Sequence, residues 1–254
     1  GEIVLNEPID SDLFDFSPGV SGETFWRSSS VIEFVPDEWL ESGKKYSVEF
    51  FLDELLDVED KFETFNFQFS TINQGFTFTD RGLSTYEYAN LKDQKYNGVI
   101  RTADLADSSD VRRMLNATQN GKKLNVSWLH KGNTEHEFTL EHVVRGDSES
   151  KISIEVDGKS IGVEELVNHN IEVPALGDFK VTHLEVIYGE LPGLDIRFSD
   201  PLDQDQNLDG LITVAGVNNL SYEISGHEVK VFLPYIVNDE KLVRVTTGVK
   251  NILG

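Results

Sequence analysis

The sequence predicts an all-β chain built from small β-sandwich domains in tandem, and three observations carry that expectation. Apolar and polar residues alternate with a period of two in many short runs. The cleanest sets Phe65, Phe67 and Phe69 among Thr64, Asn66 and Gln68. These runs are bounded by turn chemistry such as Ser42-Gly43-Lys44, Asn120-Gly121 and Asp157-Gly158. The run Val31-Ile32-Glu33-Phe34-Val35-Pro36 also returns near the other end of the chain as Val229-Lys230-Val231-Phe232-Leu233-Pro234.

The first module is expected over residues 1–72. It opens in mid-strand at residues 2–5, and Pro8 ends or edges that strand. Phe14, Phe16 and Val20 straddle the turn Ser17-Pro18-Gly19, and residues 23–26 are a further short strand. Residues 31–35 form a β-branched and aromatic run that Pro36 stops, because proline cannot donate to a ladder. Gly43 supplies the positive φ of the reversal. Tyr46, Val48 and Phe50 then alternate with Ser47 and Glu49. After an acidic connection comes the Phe65, Phe67, Phe69 ladder, which is expected to be a packed sheet face rather than a sugar-stacking platform.

The second module is expected over residues 73–177, as a β-sandwich with one short helix. Strands fall at residues 76–80, 99–102, 124–129 and 137–144. Ser109 reads as the N-cap of a helix over residues 110–115 with an acidic first turn. Asp157-Gly158 reads as the turn of a hairpin between residues 152–156 and 159–161.

The third module, residues 178–254, brings strands at 179–188 and 194–198 and then repeats the first. Ser199-Asp200-Pro201-Leu202-Asp203 matches Asn6-Glu7-Pro8-Ile9-Asp10, and residues 241–247 match residues 45–51. The match places Phe34 and Phe232 at one inward position on equivalent strands, with Pro36 and Pro234 ending them, and Pro8 and Pro201 at matching corners. The copies are cut unevenly. The first lacks an opening strand like residues 179–188, and the third stops before a strand like residues 62–69.

Composition narrows the function. Hydrophobic residues make up 39% and include 16 Phe, 7 Tyr and 3 Trp, enough for real cores. A net charge of −23 argues against nucleic acid as a partner, because its phosphates are repelled. No window approaches the roughly 18 to 20 apolar residues of a membrane span. The chain has no cysteine, which removes disulfides, thiol nucleophiles and cysteine-based metal sites. It opens at Gly1 without a signal peptide and reads as a piece of something longer.

The run Ile171-Glu172-Val173-Pro174-Ala175-Leu176-Gly177-Asp178-Phe179-Lys180-Val181, with residues 196–203, Asn207-Leu208-Asp209-Gly210-Leu211-Ile212 and the closing residues 245–254, resembles the N-terminal region of bacterial α2-macroglobulins. The third module carries most of the match, while the first is similar to bacterial Ig-like domains in general. The resemblance implies tandem Ig-like or macroglobulin-type β-sandwiches. It also implies a large lipoprotein of the bacterial cell envelope, in the periplasm or on the outer membrane, that traps proteases after they cut a bait segment. The covalent trap of that family is a thioester made from Cys-x-Glu-Gln, which a chain without cysteine does not hold. The expected role is therefore a non-catalytic, monomeric scaffold. Target proteases are met through the full-length protein, and a membrane only through a lipid anchor outside these residues.

Patterns that carry chemistry are few. Asp205, Asn207 and Asp209 place oxygen ligands at every second residue before Gly210, as a calcium loop does. Its twelfth position is Gly216 rather than glutamate, and no paired helices flank it, so a loop between strands competes with a metal site. His130, His136 and His142 are evenly spaced, and His136 and His142 are expected to share a strand face with Phe138 and Leu140, but there is no His-Glu-x-x-His. No nucleophile elbow, phosphate loop or dinucleotide fingerprint is present, and no catalytic residue or cofactor is expected. The competing function class is a binding module of a surface adhesin or carbohydrate-capturing protein built from similar Ig-like repeats.

Overall fold

A computed structural model of the chain describes residues 4–87, 90–189 and 191–254. It is 50% strand and 6% helix; helix at about a third of the residues, as in an average domain, would have contradicted the all-β expectation. The chain divides into two compact units, Gly1–Gly75 and Phe76–Gly254.

The first unit holds strands β1 (Phe14–Ser17), β2 (Gly22–Ser28), β3 (Val31–Pro36), β4 (Lys45–Phe51) and β5 (Thr64–Ser70). β2 and β3 form a hairpin, and the other sheet runs in the order β1-β4-β5. Residues 2 and 3 of the expected opening strand lie outside the described residues. Val4 and Leu5 are half-exposed and belong to no strand. Antiparallel register lines up Phe14, Phe50 and Phe65 in one row, and Phe16, Val48 and Phe67 in the next. Phe34 of the hairpin packs its ring on Phe14 and Phe16, with centroids 5.9 and 4.6 Å away. Gly22 lies beneath that ring, and an added Cβ would sit 2.6 Å from Phe34 Cζ, so this position needs glycine.

The aromatic ladder is not the packed face that its alternation predicts. Tyr46 and Val48 of β4 are buried, yet Phe65 is 53% and Phe67 48% exposed. Their side is the inward one, since they share rows with Phe50 and Val48. The layer opposite is only the β2–β3 hairpin, whose Phe34 reaches β1, and nothing described in this unit covers β5.

The second unit starts with β6 (Phe76–Thr85), β7 (Asp93–Thr102), α1 (Ser108–Met114), β8 (Leu115–Gln119), β9 (Lys122–Lys123), β10 (Asn125–Lys131), β11 (Glu135–Val144), β12 (Ser150–Asp157) and β13 (Leu166–Val173). Two four-stranded sheets, β10-β11-β7-β6 and β13-β12-β8-β9, enclose one core containing Tyr96, Ile100, Phe138, Leu140, Ile152 and Ile154. Two local expectations are corrected. The N-cap of α1 is Asp107, whose Oδ1 accepts the amide of Ser109 at 2.7 Å, and not Ser109 itself. Asp157-Gly158 does not close a two-residue hairpin. Asp157 caps a 3-10 turn over Gly158–Ile161, Gly162 takes φ 80°, and the return strand is β13.

The unit continues with β14 (Val181–Ile187), β15 (Gly193–Phe198), β16 (Ile212–Val214), β17 (Ser221–Ser225), β18 (Glu228–Phe232) and β19 (Val243–Val245). The sheet β14-β15-β18-β17 and the pair β16-β19 share a second core, centred on Ile196, Phe198, Leu202, Ile212 and Val229.

Here the internal repeat is visible as topology. β17–β18 is a hairpin like β2–β3, each closed by a two-residue loop, and β16 pairs with β19 as β1 pairs with β4. The residue-level match is off by one. Ser28 faces Val31 across the first loop as Ser225 faces Glu228 across the second. Counting from those loops sets Phe34 against Val231 and sets Phe232 against Val35. Val231 is buried in the core, while Phe232 stands on the other face with Glu228 and Lys230. Pro36 is the last residue of β3, whereas Pro234 lies two residues past β18. The corners differ too. Pro8 bridges to Phe25 of β2, while Pro201 follows β15, which pairs with β18.

Candidate functional site

The residues singled out by pattern do not converge. Asp205, Asn207 and Asp209 are all exposed, and their loop is held by its own turns. Asn207 Oδ1 accepts the amide of Asp209 at 2.9 Å, and Asp203 Oδ1 accepts that of Asp205 at 3.1 Å. Among the described residues no three His, Asp or Glu side chains gather in a geometry that could hold a metal ion.

The histidines separate. His130 and His136 face each other across β10 and β11, with Nδ1 atoms 2.8 Å apart. Arg112 Nε donates to His130 Nε2 at 3.2 Å, so His130 donates from Nδ1 to His136 Nδ1. Burial, the larger cause, holds both rings below their usual pKa; Arg112 adds to it at His130, and His130 at His136. A bulge after Leu140 turns His142 away from Phe138 and Leu140, contrary to the alternation; it sits at φ 56° and meets Asp93 Oδ2 at 3.1 Å.

The most developed polar site of the chain is one that no motif marks: the joint between the two cores of the second unit. Arg145 follows β11 and is fully buried, as is its ion-pair partner Asp200. The guanidinium donates Nε to Pro174 O at 3.0 Å, Nη1 to Ser199 O at 3.2 Å, and Nη2 to Ala175 O at 2.7 Å and Asp178 O at 3.2 Å. Gln94 of β7 adds a bond to Ser199 O at 3.0 Å, and the hydroxyl of Ser199 donates to Asp178 O at 2.8 Å. Residues 174–178, which read as a boundary between modules, are thereby clamped by a side chain of the preceding one. The guanidinium and its carboxylate partner have all their hydrogen bonds, which is the condition under which buried charge is tolerated, whereas the buried Oε1 of Gln94 has no partner among the described residues.

A second bridge crosses the same joint. His227, buried in the β17–β18 loop, accepts the amide of Thr85 at Nε2, 3.1 Å away, so its Nδ1 proton goes to Phe198 O at 3.0 Å. Burial is the main reason its pKa lies below the ordinary 6.5. The unfolded chain therefore binds the extra proton first as pH falls. This stability is fully present above about pH 6.5, and it is lost as pH drops below that value towards the folded pKa. The expected result is a His227 ring titration, followed by NMR, with a midpoint below 6.5. A midpoint at or above 6.5 would contradict the bridge.

What the joint does chemically is fix two β cores against each other with one cation, one carboxylate and a neutral imidazole. Scans of the chain against protein-family models, curated proteins and solved structures return no match.

Proposed function

We propose that this chain is a non-catalytic scaffold from the N-terminal part of a bacterial α2-macroglobulin-like protease trap of the cell envelope. The observation that carries the reading is the repeat. Merging the two copies strand by strand gives one sheet in the order β14-β15-β18-β17 and the other in the order β1-β4-β5. That composite order matches the four-plus-three sheets of a constant-type immunoglobulin sandwich, and it supports an Ig-like reading of both copies. Tandem Ig-like or macroglobulin-type sandwiches are what the resemblance of residues 171–212 and 245–254 implies, and a chain without cysteine fits the scaffold rather than the thioester. The clamped joint at Arg145 suits a role in which domain spacing is held and not hinged.

One observation favours the adhesin reading, namely the half-exposed Phe65 and Phe67, since flat rings in a row are a stacking surface for sugars. A single set of assays separates the readings. Incubated with proteases and an amine-reactive or thiol-reactive probe, the 254-residue chain is expected to capture nothing covalently, and to give no turnover on ester and glycoside panels. On a glycan array it is expected to bind nothing. A glycan whose binding is lost in Phe67→Ala would replace the scaffold reading with the adhesin one, and turnover abolished by one carboxylate substitution would replace it with an enzyme.

A further inference from the structure

The third module carries an apolar groove of about 680 Å³ bordered by Leu184, Val186, Leu194, Val214, Leu233 and Val243. Its floor is core surface. Leu184 and Val186 pair with Ile196 and Leu194 and share their inward side, yet they are 44% and 45% exposed while Ile196 and Leu194 are buried. Among the described residues β19 has a partner on one side only, β16. The first module shows what stands at the equivalent place. There β4, the counterpart of β19, pairs on its other side with β5, antiparallel and with a phenylalanine at every second position. The exposed inner residues are also complementary. Phe65 and Phe67 of β5 lack a facing strand like β14, and Leu184 and Val186 of β14 lack a facing strand like β5.

We infer that the groove is a strand-accepting site. Its occupant is an extended peptide segment of β5's pattern, aromatic and polar residues alternating, which adds antiparallel to β19. The backbone edge supplies the ladder hydrogen bonds, and the alternate rings lie on Leu184 and Val186. This inference rests on the repeat topology alone and stands whether or not the macroglobulin reading does.

The test adds a synthetic peptide of residues 64–70, carrying two lysines at each end, to the intact chain. A peptide with the same flanks and the same residues scrambled so that the phenylalanines are adjacent controls for attraction to the acidic surface. The expected result is binding at least about tenfold tighter than the scrambled peptide, with slowed amide hydrogen exchange at residues 243–245. Val186→Asp is expected to remove the difference; that residue is half-exposed, so the fold tolerates the change, which an unchanged circular dichroism spectrum checks. Equal binding of the two peptides, or protection elsewhere than β19, would overturn the proposal. So would a dimer in sedimentation that Val186→Asp dissolves and Phe67→Asp leaves intact, because the groove would then be covered by a part of a second copy other than a strand of β5's pattern.

Discussion

Replacing Arg145 with methionine is expected to destabilise the second unit by about 3 to 5 kcal/mol, because it leaves Asp200 charged, buried and without its partner. Urea denaturation gives the number, and a loss below about 1 kcal/mol would show that water reaches the site. The double variant Arg145→Met, Asp200→Leu distinguishes this joint from a simple buried pair, for which apolar replacement of both partners is often neutral. Here the guanidinium also holds the carbonyls of Pro174, Ala175, Asp178 and Ser199. Ser199 O keeps Gln94 as a donor, Asp178 O keeps the Ser199 hydroxyl and Ala175 O keeps the Asp178 amide, so Pro174 O is the carbonyl that is left without one. One unsatisfied buried carbonyl costs on the order of 1 to 3 kcal/mol, so the double variant is expected to stay less stable than the parent by about that amount.

Phe138→Ala is expected to cost a similar amount, about 3 to 5 kcal/mol, by opening a cavity in the first core of that unit. Phe138 is 2% exposed and touches the rings of Phe78 and Trp128, with centroids 5.9 and 5.6 Å away. It also fills the space over its cross-strand partner Gly98, where an added Cβ would stand 2.4 Å from Phe138 Cζ. Gly98→Ala alone should then cost about 1 to 3 kcal/mol by overpacking. The two effects are expected to fall short of additive when combined, since removing the ring removes the clash. Strict additivity in a double-mutant cycle would mean that the ring and the glycine do not depend on each other.

Alternation and turn residues marked many of the strands, because the period of two is written locally, while β8, β13, β16 and β17 were not expected. β4, β5, β10, β11 and β15 lie where their patterns put them, within a few residues. What alternation does not carry is the presence of an opposing layer. Phe65 and Phe67 point inward by register and are still exposed, since burial needs a second sheet above them. Register across the repeat was likewise decided in three dimensions. The two-residue loops at Ser29-Ser30 and Gly226-His227 fix which residue faces which, and they turn Phe232 outward where matching by composition turned it in. The joint was the least legible part. Arg145 and Asp200 stand 55 positions apart, and neither belongs to a motif. Only the folded chain brings them together, where low polarity and the five acceptors around one guanidinium make their pairing matter.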